Sequence, residues 1–215
     1  MDSVFFDLDG TLTDPKVGIV GCIQYALNEL GRPSQPDENL LWCIGPPLQG
    51  SFQTLLGSEA AAVAALALYR RRFSDIGLYE NELYPGIAAA LASLRQSGLK
   101  LYVATSKPAV YAERIVAHFH IGTYFERVFG SELDGTRTDK AELLTYAIGE
   151  TGIDPARAIM IGDRRHDVIG ARANAMTAIG VLYGYGSKDE LEAAGAHHLC
   201  ASPHDIVPAV MAQRR

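Results

Sequence analysis

The chain has 215 residues, of which 48% are hydrophobic and 20% are charged, a composition typical of a globular protein and not of a disordered one. This length is enough to bury one full domain and a smaller second one. The formal net charge of −6 argues against a nucleic-acid polymer as partner, because binding to a phosphate backbone depends on clustered Lys and Arg.

The first predicted element is a short strand that ends in two carboxylates. Residues 4–6, Val-Phe-Phe, suit a strand buried on both faces, and Gly10 follows with a turn. Residues i and i+2 of a strand share a face, so Asp7 and Asp9 point the same way. In this position Asp7 suits a nucleophile and Asp9 a general acid/base, with a divalent cation against their oxygens. Two solvated acids at a strand end would give the same pattern.

Residues 15–80 are predicted to form an inserted all-helical domain. Apolar residues recur there at helical spacing, and Gly or Pro interrupts the pattern between helices. The predicted helices cover residues 17–30, 40–44, 48–56 and 59–73. Ser58 is expected to cap the last of them. Because the segment leaves the chain just after the first strand, we expect it to act as a lid or cap.

From Tyr84-Pro85-Gly86 onward, predicted strands and helices alternate. The strands cover residues 99–104, 127–130, 158–162 and 177–182, and the helices cover 87–97, 109–119, 140–151, 167–174 and 189–194. This alternation predicts a parallel sheet with helices on both faces, which binds ligands at the carboxyl ends of its strands. The fold class is therefore α/β, with a core of residues 1–14 and 81–215.

Two hydroxyl residues, Thr105 and Ser106, follow the second predicted strand. Their side chains, with backbone amides of the next turn, suit hydrogen bonds to a phosphate oxygen. Capping of the following helix is an equally simple explanation. Lys107 and Pro108 complete this segment.

A second acidic pair follows the predicted strand at 158–162. Asp163 and Asp167 are four residues apart, so they face one point if a helix begins between them, as oxygen ligands of a magnesium-sized ion should. Two acids that complement a helix dipole are the alternative. His166 between them is not expected to be a ligand, because a hard cation prefers oxygen.

Lys140 opens the helix that precedes this strand. A surface lysine is the usual interpretation of such a residue. A fixed ammonium is also what would hold a phosphate group beside a charged aspartate.

Taken together and in order, these residues resemble the four motifs of the haloacid dehalogenase superfamily of phosphatases. The first motif corresponds to Asp7-Leu8-Asp9-Gly10-Thr11, and the others to Thr105, to Lys140, and to Gly162-Asp163 with Asp167. The resemblance implies a Rossmann-like core with a helical cap inserted after the first motif. It also implies attack by Asp7 on phosphorus, proton transfer by Asp9, and phosphate binding by Thr105 and Lys140, to which the strand-end pattern adds Ser106.

The same resemblance implies a magnesium ion held by the Asp7 side chain, the Asp9 carbonyl and Asp163, with Asp167 close by. The fuller strings, such as 105–108 and 162–167, are most similar to phosphoglycolate phosphatase-like proteins, and within them to a bacterial 5'-nucleotidase-like branch. Pro often follows the third-motif lysine of phosphoglycolate phosphatases, and here Ala141 does.

The expected substrate is therefore a small phosphorylated metabolite, with a nucleoside 5'-monophosphate slightly ahead of phosphoglycolate. Phosphoryl transfer to a sugar or alcohol, as in a mutase, is one alternative. A phospho-accepting module without turnover is another, although it would have no need of Asp9. Specificity is assigned to the cap loop Gly45-Pro46-Pro47, which a plain helix stop would also explain.

The remaining expectations concern location and assembly. Cys22, Cys43 and Cys200 lack the spacing of a zinc site or a disulfide framework, which predicts reduced thiols in the cytoplasm. We expect no signal peptide, because no basic segment with an apolar core precedes Asp7. The aliphatic run at 60–69 is about half the roughly 20 residues that span a bilayer, so no membrane partner is expected. The protein is expected to be a monomer or a homodimer.

Overall fold

The computed structural model describes residues 1–214. The chain divides into two compact units, one formed by residues 1–14 with the chain from residue 83 onward, and the other by residues 15–82. The sequence placed the second boundary at residue 80, two residues earlier. The first unit carries the acidic motifs and the second is helical.

The strands of the described chain form two sheets. In chain order they are β1 (Ser3–Phe6), β2 (Thr13–Asp14), β3 (Glu82–Leu83), β4 (Lys100–Pro108), β5 (Arg127–Ser131), β6 (Ala158–Gly162), β7 (Thr177–Val181) and β8 (His198–Cys200). The large sheet has the order β5-β4-β1-β6-β7-β8, and each neighbouring pair is parallel. The short strands β2 and β3 pair separately. The predicted parallel α/β sheet is confirmed.

Apart from the last, which the sequence pattern does not predict, the helices follow the predicted pattern, and their ends differ from it by at most two residues. They are α1 (Lys16–Glu29), α2 (Leu48–Leu56), α3 (Glu59–Arg72), α4 (Ile87–Gln96), α5 (Ala109–His118), α6 (Lys140–Thr151), α7 (Arg165–Ala173), α8 (Lys188–Ala194) and α9 (Ile206–Ala212). A 3₁₀ helix spans Asp37–Cys43, where the sequence predicted a short helix at 40–44. As predicted, the Ser58 side chain caps α3 by accepting a hydrogen bond from the Ala61 amide.

The core of the first unit lies around the central strand. Every residue of β1 and of β6 is buried, so both strands are covered on both faces, which explains their continuous apolar runs. Phe5 stacks on Tyr102 with ring centroids 4.9 Å apart and also contacts Phe129. This packing joins β1 to β4 and β5. Because β1 also pairs with both β4 and β6, the residues that follow these three strands emerge next to one another.

Candidate active site

The acidic residues of the first and fourth motifs meet at the carboxyl ends of β1 and β6. In the parallel register Phe6 lies opposite Ile161, and the Asp7 amide continues the ladder by donating to the Ile161 carbonyl at 2.9 Å. Asp163 follows one residue after Gly162. Because both strands end at the same edge, residues far apart in the sequence become neighbours.

Asp7, Asp163 and Asp167 form a buried carboxylate cluster. One carboxylate oxygen from each lies within 4.8 Å of the others. The three residues are 5%, 0% and 2% exposed, so water screens their charges little. Close carboxylates in such a place repel one another unless a cation or a proton lies between them.

Lys140 supplies part of the positive charge that this cluster needs. Its Nζ is 3.0 Å from Asp7 Oδ1, 2.8 Å from Asp167 Oδ1 and 2.8 Å from the Ala104 carbonyl oxygen. The ammonium donates hydrogen bonds to Asp7 Oδ1 and to the Ala104 carbonyl, whereas its contact with Asp167 Oδ1 is an ion pair without hydrogen-bond geometry. The lysine is therefore a buried bridge between two motif aspartates. It is not the surface residue that its sequence position alone would suggest.

Asp9 forms a separate ion pair with Lys107, whose Nζ lies 2.8 Å from Asp9 Oδ2. Both side chains are less than a tenth exposed. The sequence pattern had given Lys107 no role beyond its place in the segment 105–108. Lys107 lies only two residues after Thr105, near the end of a strand that neighbours β1, and this position could have indicated its contact with Asp9.

Thr105 and Ser106 lie at the end of β4, beside the carboxylates. Thr105 is buried, and its hydroxyl accepts a hydrogen bond from the Lys107 amide at 3.2 Å. The Ser106 carbonyl accepts one from the Ser131 hydroxyl at 2.8 Å. The Thr105 hydroxyl thus stabilises the irregular end of β4 that carries Lys107. Phosphate binding by Thr105 and Ser106 stays a prediction.

Glycines make the room in which the acids converge. A Cβ on Gly162 would lie 2.1 Å from Asp167 Cγ, so a side chain there would displace this carboxylate. Gly10 has a φ of +81°, which favours glycine, and a Cβ on it would lie 2.2 Å from Asp163 Oδ2. The motif glycines are therefore needed for close approach as well as for turns.

Burial and like charge shift the proton affinities of this cluster. Burial, together with the carboxylates of Asp167 and Asp7, holds the pKa of Asp163 well above its usual range. Burial also raises the pKa of Asp167 to about 6, against the attraction of Lys140. For Lys140 burial lowers the pKa, but Asp167 and Asp7 together outweigh it and raise that pKa. Burial raises the pKa of Asp9, and Lys107 opposes the shift.

The donor set fits a hard divalent cation. All the candidate ligand atoms are oxygens, as magnesium and calcium prefer. Asp163 Oδ1 is buried and makes no hydrogen bond within the described residues, whereas its Oδ2 accepts one from the Tyr185 amide. An unpaired carboxylate oxygen beside two further acids is what a cation site requires. His166 is half-buried between these acids.

The last predicted site residues, Gly45, Pro46 and Pro47, lie in the helical unit. They connect the 3₁₀ helix at Asp37–Cys43 to α2, and Pro47 is the residue just before that helix. This position agrees with a helix stop, and their predicted role in specificity stays a prediction.

The geometry accords with comparisons to known proteins. The sequence profile of the haloacid dehalogenase-like hydrolases matches residues 4–181, which include all four motifs. The chain belongs to this family.

Relatives of this haloacid dehalogenase-like protein carry several activity names. A "5'-nucleotidase" of Pseudomonas aeruginosa is 47% identical over 93% of this chain and 90% of its own. A "Phosphoglycolate phosphatase 1" of the same organism is 31% identical over 85% and 70%. "Tyrosine-protein kinase PtkA" of Mycobacterium tuberculosis is 40% identical over 88% of this chain, which spans only 65% of that protein.

Among solved structures, a "predicted phosphatase" from Clostridium acetobutylicum superposes with a TM-score of 0.95 at 41% identity over 98% of both chains. With the relatives above, it identifies this haloacid dehalogenase-like protein as a phosphatase. Among the described residues, no helix has the length and apolar character needed to cross a membrane.

The raised pKa values predict that divalent cations compete with protons for this site. As the pH falls through about 6, the value near which Asp167 titrates, the cluster takes up protons that an incoming cation must displace. The dissociation constant for Mn²⁺, measured by electron paramagnetic resonance of the free ion, should therefore rise on acidification and level off at higher pH. A constant that is the same on both sides of this pH would contradict the assignment.

Proposed function

We propose that the chain is a magnesium-dependent phosphomonoester hydrolase that works through an aspartyl-phosphate on Asp7. The observation that carries the proposal is the buried cluster of Asp7, Asp163 and Asp167, bridged by Lys140 at the carboxyl ends of the central strands. Such a cluster offers a nucleophilic carboxylate in a place where a cation and a phosphoryl group are both stabilised.

In the first half-reaction a carboxylate oxygen of Asp7 attacks phosphorus, and the bond from phosphorus to the substrate's ester oxygen breaks. Lys140, which contacts Asp7 Oδ1, orients the nucleophile. Asp9 gives its proton to the departing oxygen, so that the leaving group departs as a neutral alcohol. The raised pKa of buried Asp9 favours the protonated form that this step needs.

In the second half-reaction Asp9, now a carboxylate, takes a proton from water. The resulting oxygen nucleophile attacks phosphorus and breaks the bond to Asp7, which releases inorganic phosphate and restores both carboxyl groups. The ion pair with Lys107 orients Asp9 and stabilises its ionised form during this step.

Thr105 and Ser106 would donate to the phosphoryl oxygens from the end of β4. Lys140 is assigned the same role by the motif resemblance. Its ammonium already contacts Asp7, Asp167 and the Ala104 carbonyl, so we assign it first to the two aspartates.

Asp7, the Asp9 carbonyl and Asp163 would hold the magnesium ion, with Asp167 nearby. When bound, the ion supplies positive charge that offsets the acidic cluster and the phosphoryl oxygens. The unpaired Oδ1 of Asp163 supports this assignment.

The substrate class that we favour is the nucleoside 5'-monophosphates, supported by the 47% identity to a protein named 5'-nucleotidase. Phosphoglycolate is the alternative, supported by the more distant relative of that name. We further propose that residues 15–82 act as a cap with Gly45, Pro46 and Pro47 at the substrate, and that the protein is a cytoplasmic monomer or homodimer. None of the three cysteines forms a disulfide.

A second candidate is phosphoryl transfer to an acceptor hydroxyl instead of water. The observation in its favour is the 40% identity to proteins named tyrosine-protein kinase PtkA. The acceptor would be a tyrosine side chain or, as in a mutase, a sugar hydroxyl. The chemistry up to the aspartyl-phosphate is the same, so the acceptor alone separates the two functions.

A panel of phosphate esters tests the proposal. Purified protein is assayed for phosphate release from nucleoside 5'-monophosphates, phosphoglycolate and sugar phosphates, with Mg²⁺ or with chelator. The highest kcat/KM is expected for a nucleoside 5'-monophosphate, with no release in chelator. With a tyrosine peptide or a sugar added as acceptor, a phosphorylated acceptor formed in place of free phosphate would favour transfer. Inactivity on every ester with Mg²⁺ would reject both candidates.

Asp7→Asn should lower kcat by about 10⁴-fold or more, because the amide removes the nucleophile while keeping its shape. Asp189→Asn is the matched control, since Asp189 is an exposed acid in the first turn of α8. The measurement is phosphate release under saturating substrate. A variant at Asp7 with near-normal kcat would rule out covalent catalysis through this residue.

Lys107→Met should lower kcat by about 10²-fold, because buried Asp9 loses the cation that orients it. The effect on KM should be smaller, since the contact serves the proton transfers. Lys107→Arg keeps a positive charge at the position and should recover part of the loss. Equal kcat in wild type and Lys107→Met would show that the ion pair has no part in turnover.

A further inference from the structure

The segment 183–186, Tyr-Gly-Tyr-Gly, lies between β7 and α8 and contacts Asp163 through its backbone. The Tyr185 amide donates to Asp163 Oδ2 at 2.7 Å. Asp163 Oδ1 is left buried with no hydrogen bond within the described residues. The Tyr185 amide therefore binds Oδ2 of Asp163 and leaves Oδ1 available to a ligand.

The two tyrosine hydroxyls of the segment reach residues 11–14, the end of the loop that follows β1 and the short strand β2. Tyr183 donates from its hydroxyl to the Thr11 carbonyl at 2.9 Å, and Tyr185 donates to the Asp14 carboxylate. The Tyr183 ring also packs edge-on against Tyr84, with centroids 4.9 Å apart. The segment is thus anchored to the same loop that carries Asp9 and Gly10.

The glycines of the segment allow this contact sterically. A Cβ on Gly184 would lie 2.3 Å from the Gly10 carbonyl oxygen and 2.4 Å from Asp163 Cβ. A Cβ on Gly186 would lie 1.9 Å from the Asp163 carbonyl oxygen. Neither glycine has a φ in the left-handed region, so close approach alone excludes a side chain there.

We propose that residues 183–186 are a positioning segment for the cation site. The Tyr185 amide holds Asp163 Oδ2, which leaves Oδ1 directed at the cation site. The tyrosine hydroxyls fix the segment to the residues after β1, so that Asp163 keeps a constant position relative to the loop that carries Asp9. The inference rests on the proposed function, because it assumes that Asp163 binds a divalent cation. In this proposal the tyrosines and glycines act through Asp163 and not on the substrate.

The test is Gly184→Ala, with Mn²⁺ binding to the metal-free protein as the readout. The added methyl collides with Asp163 and with Gly10, so Mn²⁺ affinity should fall about 10- to 100-fold, the range seen when partners of metal ligands are changed. Gly149→Ala is the matched control. Gly149 is exposed in α6, has no neighbour within 4 Å of a Cβ, and should keep wild-type affinity.

The double variant Tyr183→Phe with Tyr185→Phe covers the case in which Gly184→Ala does not fold. It keeps the Tyr185 amide but removes both hydroxyl anchors, so Mn²⁺ affinity should fall by a smaller factor, about 3- to 10-fold. Circular dichroism of the metal-free variants checks that each is folded.

The outcomes separate this inference from the function on which it rests. Weaker Mn²⁺ binding by folded variants, with the control unchanged, supports the positioning role. Unchanged affinity in folded Gly184→Ala, or in the double variant if only that folds, overturns the inference alone. No Mn²⁺ binding by the wild-type protein overturns the proposed metal site, and this inference with it.

Discussion

The burial of three carboxylates around a single ammonium is the constraint on which the rest of this structure depends. If all three were ionised, Asp7, Asp163 and Asp167 would place three negative charges where water has little access, and Lys140 returns only one positive charge. Leaving such charges uncompensated in a protein interior is costly, so the cluster holds protons or takes up a cation. This excess of carboxylates over ammonium groups favours the binding of a divalent cation, and the cation in turn favours an anionic phosphoryl group.

The fold meets this constraint through backbone geometry. Parallel strands β1 and β6 end at one edge, which brings Asp7 and Asp163 together across more than 150 positions of sequence. Gly10 and Gly162 remove the side chains that would occupy the space of the carboxylates. The helix α6 begins at Lys140, so its first side chain contacts both Asp7 and Asp167.

Much of this arrangement could be predicted from the sequence, because it rests on local signals. Apolar runs that end in Gly and Asp mark the strand ends, and alternation with helices implies a parallel sheet. The strand β8 and the helix α9 were missed, since a three-residue strand and a seven-residue helix carry too little periodicity. The predicted insert, residues 15–80, ends within two residues of the helical unit at 15–82, because Pro15 and Tyr84-Pro85-Gly86 interrupt the helical pattern strongly.

The contacts between distant segments could not be predicted in the same way. Lys107 was visible in the sequence, but its pairing with Asp9 depends on how far β4 extends beside β1. Tyr185 lies 22 residues after Asp163, and its hydrogen bond to Asp163 comes from the backbone amide, which does not depend on the residue type. Such contacts are set by tertiary packing, which a local pattern does not record.

The most direct test of the central claim is the anomalous-difference map of crystals soaked in Mn²⁺. We expect one strong peak at coordination distance, about 2.1 Å, from carboxylate oxygens of Asp7 and Asp163. A strongest peak elsewhere on the protein, or none at an ordered cluster, would contradict it.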